Sequence, residues 1–137
     1  MRRVHRSWVC LVAAVLAAAG CKDSLTAPAM LGEWGGEHIA LTVSLTGATV
    51  EYDCAHGSID GPVVPDLRGV IDLTGIHVFE HGGPVQDGEI EDAHPARYRV
   101  RIDGDRMMLA VTLTDTGQSL GAFELRQGEQ GRLVKCL

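Results

Sequence analysis

Aromatic side chains are scarce in this chain, whose 137 residues include two Trp, two Tyr and two Phe. A surface that stacks bases or sugar rings needs more of them, so neither ligand is expected. Cations are outnumbered too, with 12 Lys and Arg against 18 Asp and Glu. Nucleic acid and anionic lipid surfaces are bound mainly through Lys and Arg, and the balance disfavours both. No segment places apolar residues at the 3.6-residue spacing of an amphipathic helix. No apolar run reaches the roughly 20 residues of a membrane-spanning helix. Internal repeats, low-complexity tracts and a nucleophile-elbow motif are missing as well. What remains is an acidic chain of short alternating segments, one domain's worth of sequence.

The N-terminus departs from that pattern. Arg2, Arg3 and Arg6 precede an apolar run of 12 residues, Trp8 to Ala19, which ends in small residues. This is the layout of a secretory signal. Ala19-Gly20-Cys21 at its end resembles the lipobox of bacterial lipoproteins, with Ala18 where Leu is usual. The resemblance implies that residues 1–20 are a signal peptide and that Cys21 is lipidated as the new N-terminus. Several acyl chains on one residue hold a protein at a membrane far better than a single chain. Lys22 follows the cysteine where Asp would signal inner-membrane retention. The expected location is therefore the cell envelope, at the outer membrane facing the periplasm if the source has two membranes. Residues 21–30 are read as the lipid-anchored linker. Lys22 to Ala29 lacks periodicity and reaches at most on the order of 25 Å, at about 3.3 Å per residue. Without the three signal arginines, nine basic residues face eighteen acidic ones.

From residue 31 to 137 the period is 2, which predicts a single all-β domain. Ile39, Leu41, Val43 and Leu45 alternate with polar or small residues, Thr46-Gly47-Ala48 turns the chain, and Val50, Tyr52 and Cys54 alternate again. A short strand is expected around Ile59 and a long one over Arg68 to Glu80, interrupted by Gly75. Gly82 to Pro95 reads as a loop. Tyr98, Val100 and Ile102 alternate with Arg97, Arg99 and Arg101, and Asp103-Gly104-Asp105 makes a tight turn. Met107 to Leu113, a strand around Phe123 and Leu125, and a last strand from Leu133 to Cys136 complete the set. About eight antiparallel strands predict a small up-and-down β-barrel, which removes exposed edges; a two-sheet β-sandwich is the alternative.

The cysteines fit this scheme. Cys10 leaves with the signal, and if Cys21 carries lipid, Cys54 and Cys136 remain to pair in an oxidising compartment. In a closed meander the ends of the second and last strands lie at one rim, which brings these two residues together. Gly32-Glu33-Trp34 then resembles the Gly-x-Trp opening of lipocalins and related calycins. Those are barrels that hold small apolar ligands, often with a disulfide tying the C-terminus to the barrel. Lipocalins also pack a C-terminal Arg over that Trp. Here Arg132 is expected to begin the last strand at the far rim from Trp34, so that element does not carry over. The mature chain as a whole is similar to short lipoproteins of bacterial envelopes, a resemblance that assigns no activity.

The best candidate for chemistry is His77-Val78-Phe79-Glu80-His81. In a strand, residues 77, 79 and 81 share a face, so two imidazoles flank Phe79 and are candidate zinc or copper ligands. Donors at i and i+4 of a strand lie about 13 Å apart, so one ion needs a bend, which Gly82-Gly83 permits. A regular strand puts His77 and Phe79 on the face of Ile71 and Leu73; a bulge at Gly75 would turn the histidines to water. His56, His94, Glu89, Glu91 and Asp92 are candidate further ligands, and His38 is expected to face outward. Ser58 near His56 lacks the rest of a catalytic constellation, and Cys54 is expected in a disulfide, so no enzyme is predicted. Arg97, Arg99 and Arg101 are expected to pair with acids on neighbouring strands, with an anionic ligand as the other option. The resulting expectation is a non-catalytic, lipid-anchored barrel that binds a small apolar ligand or an envelope protein at its mouth, with no cofactor. Metal binding through His77 and His81 is the alternative.

Overall fold

A computed structural model of the chain describes residues 30–136. The signal segment, Cys10, the Cys21 lipidation site and the tether over 22–29 lie outside the described residues, as does Leu137.

Alternating sequence can bury one face of each strand only if the sheet curls on itself or meets another layer. Here it curls. Eight antiparallel strands form a closed barrel in chain order: β1 (Gly32–Gly36), β2 (Ile39–Val43), β3 (Gly47–Tyr52), β4 (Ala55–Asp60), β5 (Val70–Phe79), β6 (Asp92–Asp103), β7 (Arg106–Leu113) and β8 (Ser119–Gln127). Each strand pairs with the next, and β1 closes the ring on β8, with Trp34, Gly35 and Gly36 opposite Gln127, Arg126 and Leu125. The fold is the up-and-down barrel, not the sandwich.

Inward positions follow the alternation: Ile39, Leu41 and Val43; Val50 and Tyr52; Tyr98, Val100 and Ile102; Met107, Leu109, Val111 and Leu113 are all buried. Trp34 is 1% exposed and its indole Nε1 donates to the Met30 carbonyl at 3.0 Å. Met30, expected in the linker, is thus part of the core. Outward positions such as Thr49, Glu51, Arg97, Arg99 and Arg101 are exposed. A barrel that spans a membrane has the reverse arrangement. No helix among the described residues is long and apolar enough to cross one.

Three expected elements differ. The first strand is Gly32–Gly36, separate from Ile39–Val43, because Glu37 and His38 turn the chain, with His38 at φ 63°. His38 therefore sits in a turn and not on a strand face. No strand forms over Leu133–Cys136. After β8 the tail runs back along the outside of β1 and β2 as a strap, joined by Arg132 N to Gly36 O and His38 N to Arg132 O, both at 2.9 Å. Gly35 and Gly131 permit this close passage, because a methyl at either would overlap backbone atoms across the gap. Arg132 lies on this strap with its Nε on Glu37 at 2.6 Å, exposed and not packed over Trp34. Finally, β5 runs unbroken in register with β6 from Val70 to Phe79, so Gly75 is no bulge. A methyl there would collide with the Ser58 carbonyl, so the glycine lets β4 and β5 approach.

The strand directions give the barrel two unlike ends. The β1–β2, β3–β4, β5–β6 and β7–β8 connections lie at one, called the mouth rim below. The other, the far rim, carries the β2–β3, β4–β5 and β6–β7 connections and receives the chain from Met30.

Candidate functional site

At the mouth rim the core residues change character. Tyr52 ends β3, Ala55 begins β4, His77 and Phe79 end the inner face of β5, and Leu120 and Phe123 lie on β8. Together with His38, Asp53 and Cys54 they line a shallow, open cavity of about 300 Å³. Its rings form a continuous chain. Tyr52 meets Phe123 with centroids 5.4 Å apart and His77 at 5.1 Å. His77 meets Phe79 edge-on at 4.7 Å, and Phe79 meets His94 at 5.7 Å. Edge-to-face and tilted contacts at these separations suit the ring quadrupoles.

One polar atom in this cluster is out of place. His77 is 3% exposed and Tyr52 7%. The Tyr52 hydroxyl has the Tyr98 hydroxyl beside it, but His77 Nδ1 is buried without a hydrogen-bond partner among the described residues. Such an atom costs about 1–3 kcal/mol in lost hydration. The Tyr98 hydroxyl donates to the Ile76 carbonyl at 2.8 Å and keeps lone pairs free to accept weakly from Tyr52. Gly57 leaves room for that hydroxyl, since a methyl there would run into it. Burial pushes the Tyr98 pKa up to about 12 and raises that of Tyr52 further. His77 is pushed down, chiefly by burial and then by His94 and His56 nearby, so it is neutral at neutral pH. A neutral imidazole offers one donor and one acceptor.

The other four described histidines stand around the same rim, each against a carboxylate. His38 Nδ1 meets Asp53 at 2.6 Å, His56 Nδ1 meets Glu80 at 2.8 Å, and His94 bridges Asp115 at 2.6 Å and Asp92 at 3.0 Å. His81 pairs with Glu89, which also accepts from the Gln86 amide at 2.9 Å and so folds the β5–β6 loop. The Asp115 hydrogen bond raises the His94 pKa; the Gly82 carbonyl and Glu89 raise that of His81.

The proposed metal pair is not brought together. β5 ends at Phe79, so His77 points into the barrel while His81 is exposed on the loop outside. His56, His81, Glu89, Glu91 and Asp92 do share a second cavity of about 410 Å³, outside the wall between Val78 and the β5–β6 loop. Even so, no three or more His, Cys, Asp or Glu side chains among the described residues converge as a metal site. His94 and Asp92, expected in a loop, belong to β6. Ser58 is exposed on the outside of β4, and His56 Nδ1 is committed to Glu80. Of the arginine row, Arg97 makes a two-pronged pair with Asp72 at 2.8 and 2.9 Å.

Cys54 and Cys136 form a disulfide, with Cα atoms 5.2 Å apart. The expected pairing holds, but the reason differs: Cys136 ends the strap, and Cys54 sits in the β3–β4 turn. Asp53 fastens the same joint, its carbonyl accepting from Cys136 N at 3.2 Å and its carboxylate from Val134 N at 2.8 Å. The Val134 amide, with His38, holds the Asp53 pKa low. One wall of the mouth is therefore covalently fixed.

Tyr52, Leu120 and Phe123 were not singled out by the sequence, where they read as ordinary core. The available signal was an aromatic at the inward end of a strand, two residues before a cysteine. No family model, curated protein or solved structure matches the chain, so what the mouth accepts has to be argued from its own side chains.

Proposed function

We propose that this protein is a non-catalytic binding module that takes a small, mostly apolar ligand into the mouth of its barrel. The observation that carries the reading is the buried, unpartnered His77 Nδ1, set beside the weakly held Tyr52 hydroxyl among aromatic walls. Ligand pockets are typically apolar with a few placed polar groups, and about 300 Å³ is at the small end of their range. The ligand class is a compact ring compound with one hydrogen-bonding group, able to use a neutral imidazole or a phenol. A small molecule fits better than a protein surface, because a side chain as buried as His77 is out of reach of a flat partner. With Cys21 acylated, the module would be displayed at an envelope membrane.

The test uses N-phenyl-1-naphthylamine, a neutral probe whose naphthalene and phenyl groups are joined by one N–H donor and whose fluorescence rises in apolar sites. Saturable enhancement at one site per chain is expected, with loss of most of the signal in Ala55→Phe, which fills the mouth. His77→Leu is expected to weaken the probe several-fold while keeping the fold. An absent or non-saturating signal, or an Ala55→Phe variant that binds as well as the parent, would remove this reading.

A further inference from the structure

His77 lines the open cavity of about 300 Å³ at the mouth, while its Nδ1 is buried without a partner among the described residues. Across the ladders it faces Gly57 of β4 and His94 of β6. Tyr52 of β3 and Phe79 of its own strand meet its ring with centroids at 5.1 and 4.7 Å. The Tyr98 hydroxyl lies one step deeper, against Gly57. From β8 the cavity receives only the uncharged Leu120 and Phe123, and from the neighbouring turns His38 and Asp53. His56 stands on the outer side of β4, and Asp92 and Asp115 stand behind His94.

The carboxylates of this rim are already committed. Asp53 pairs with His38 at 2.6 Å and accepts from the Val134 amide at 2.8 Å. Glu80 holds His56 at 2.8 Å and Lys135 at 3.4 Å. Asp115 and Asp92 take the two nitrogens of His94 at 2.6 and 3.0 Å. A protonated His77 presents two N–H donors. None of these carboxylates is left for the one at Nδ1, and His94 and His56 oppose the charge. The imidazolium then depends on water in the open cavity, and a ligand seated there expels that water.

We propose that the mouth exchanges its ligand for a proton: a neutral ligand over His77 and a proton on His77 exclude one another, so acid releases the ligand. This rests on the binding reading given above and adds its regulation. Burial already holds His77 below its ordinary value in the free protein, and a ligand that deepens the burial lowers it further. Both forms are neutral above about pH 6.5, where affinity is flat. As pH falls through the free protein's value, affinity falls by at most about tenfold per pH unit for one proton. An anionic ligand would show the opposite slope, but Asp53, Glu80, Asp92 and Asp115 around the rim disfavour one.

The experiment titrates N-phenyl-1-naphthylamine, which stays neutral throughout, into the full chain in steps from about pH 7.5 to about pH 5. Ala55→Phe serves as the blank for probe held elsewhere. Several-fold weaker binding is expected at the lowest pH. His77→Leu should bind more weakly than the parent at the highest pH and show one affinity throughout. His94→Gln removes a neighbouring charge, so it should keep the slope and move its midpoint to higher pH. A second readout needs no variant: the His77 Cε1–H proton resonance should titrate with a lower midpoint when the probe is bound. Absence of saturable binding at every pH removes the binding reading and this inference with it. PH-independent binding by the parent, a slope that survives His77→Leu or vanishes in His94→Gln, or an unmoved His77 midpoint overturns the exchange alone and leaves the binding reading standing.

Discussion

The two ends of this barrel are closed by the same kind of hairpin yet differ in almost every side chain. The mouth gathers all five described histidines, a run of tilted aromatic rings and the buried, unpartnered His77 Nδ1. The far rim holds aliphatic core up to its turns and, among the described residues, no histidine; its surface mixes Arg68, Arg101, Arg106 and Arg126 with Asp60, Asp66, Asp103 and Asp105. One end gathers imidazoles and a buried, unpartnered polar atom; the other carries only arginines and carboxylates as surface charges, while both expose a few aliphatic side chains. The difference shows that a regular scaffold leaves its ends free to diverge, because loop and strand-end residues bear little of the packing. The rims also differ in restraint, since only the mouth is tied by the strap and its disulfide.

Breaking that restraint should have the largest effect. The disulfide closes a loop with sequence separation 82, for which the chain-entropy model gives about 4.5 kcal/mol of stabilisation. A Cys54→Ala/Cys136→Ala variant should lose about 2–5 kcal/mol in denaturant unfolding. Amide exchange should quicken first around residues 53–56 and 132–136, with the far-rim turns little affected. Uniform quickening at both ends would contradict a rim-specific restraint.

A smaller effect, of opposite sign, is expected inside the mouth. Tyr52→Phe removes a buried hydroxyl held only weakly by Tyr98 and leaves the ring contacts, so stability should hold or rise by up to about 1 kcal/mol. Tyr98→Phe, which deletes a made hydrogen bond, should lower it by a similar amount. If both substitutions destabilise equally, the Tyr52–Tyr98 hydrogen bond is a strong one and the ligand argument rests on His77 alone.

The smallest effect is pH-dependent and sharpens the contrast. His81 and His94 are raised by their partners, so their contribution is full below about pH 6.5 and fades as pH rises through the raised folded values. Glu89 and Asp115 are lowered, so theirs is lost only as pH falls through the acid range. His77 is lowered by burial and works the other way, costing stability as pH falls below about 6.5. Loop 80–91 should therefore be better protected from exchange near pH 5.5 than near pH 8, after correction for intrinsic rates. The arginine-bearing far rim should show no such change, and His94→Gln should flatten part of the mouth response.

Much of the barrel was legible because inward alternation is local. Tyr98-Arg99-Val100-Arg101-Ile102 states its two faces outright, and Asp103-Gly104-Asp105 its turn. Gly32–Gly36 was not legible as a strand, because glycines hide the alternation and Trp34 is its one large inward side chain. Leu133–Cys136 misled for the reverse reason: a short apolar tail looks like a strand, and nothing local says that β8 has already closed the ring. At the mouth, His77 was found but paired with the wrong residue. Where a strand ends decides whether i and i+4 share a side, and the end of β5 is set by pairing with β6.

The sequence by itself determined the all-β class, the inward and outward faces of most strands, and the candidacy of Cys54 and Cys136 as partners. These follow from period-2 patterning and from a count of thiols, which need no knowledge of distant contacts. Tertiary structure alone decided that eight strands close through β1 and β8, that the tail is a strap, and that five histidines meet at one rim. It alone left His77 Nδ1 buried without a partner among the described residues. Such facts depend on which remote residues share a neighbourhood, and closure of the ring sets that.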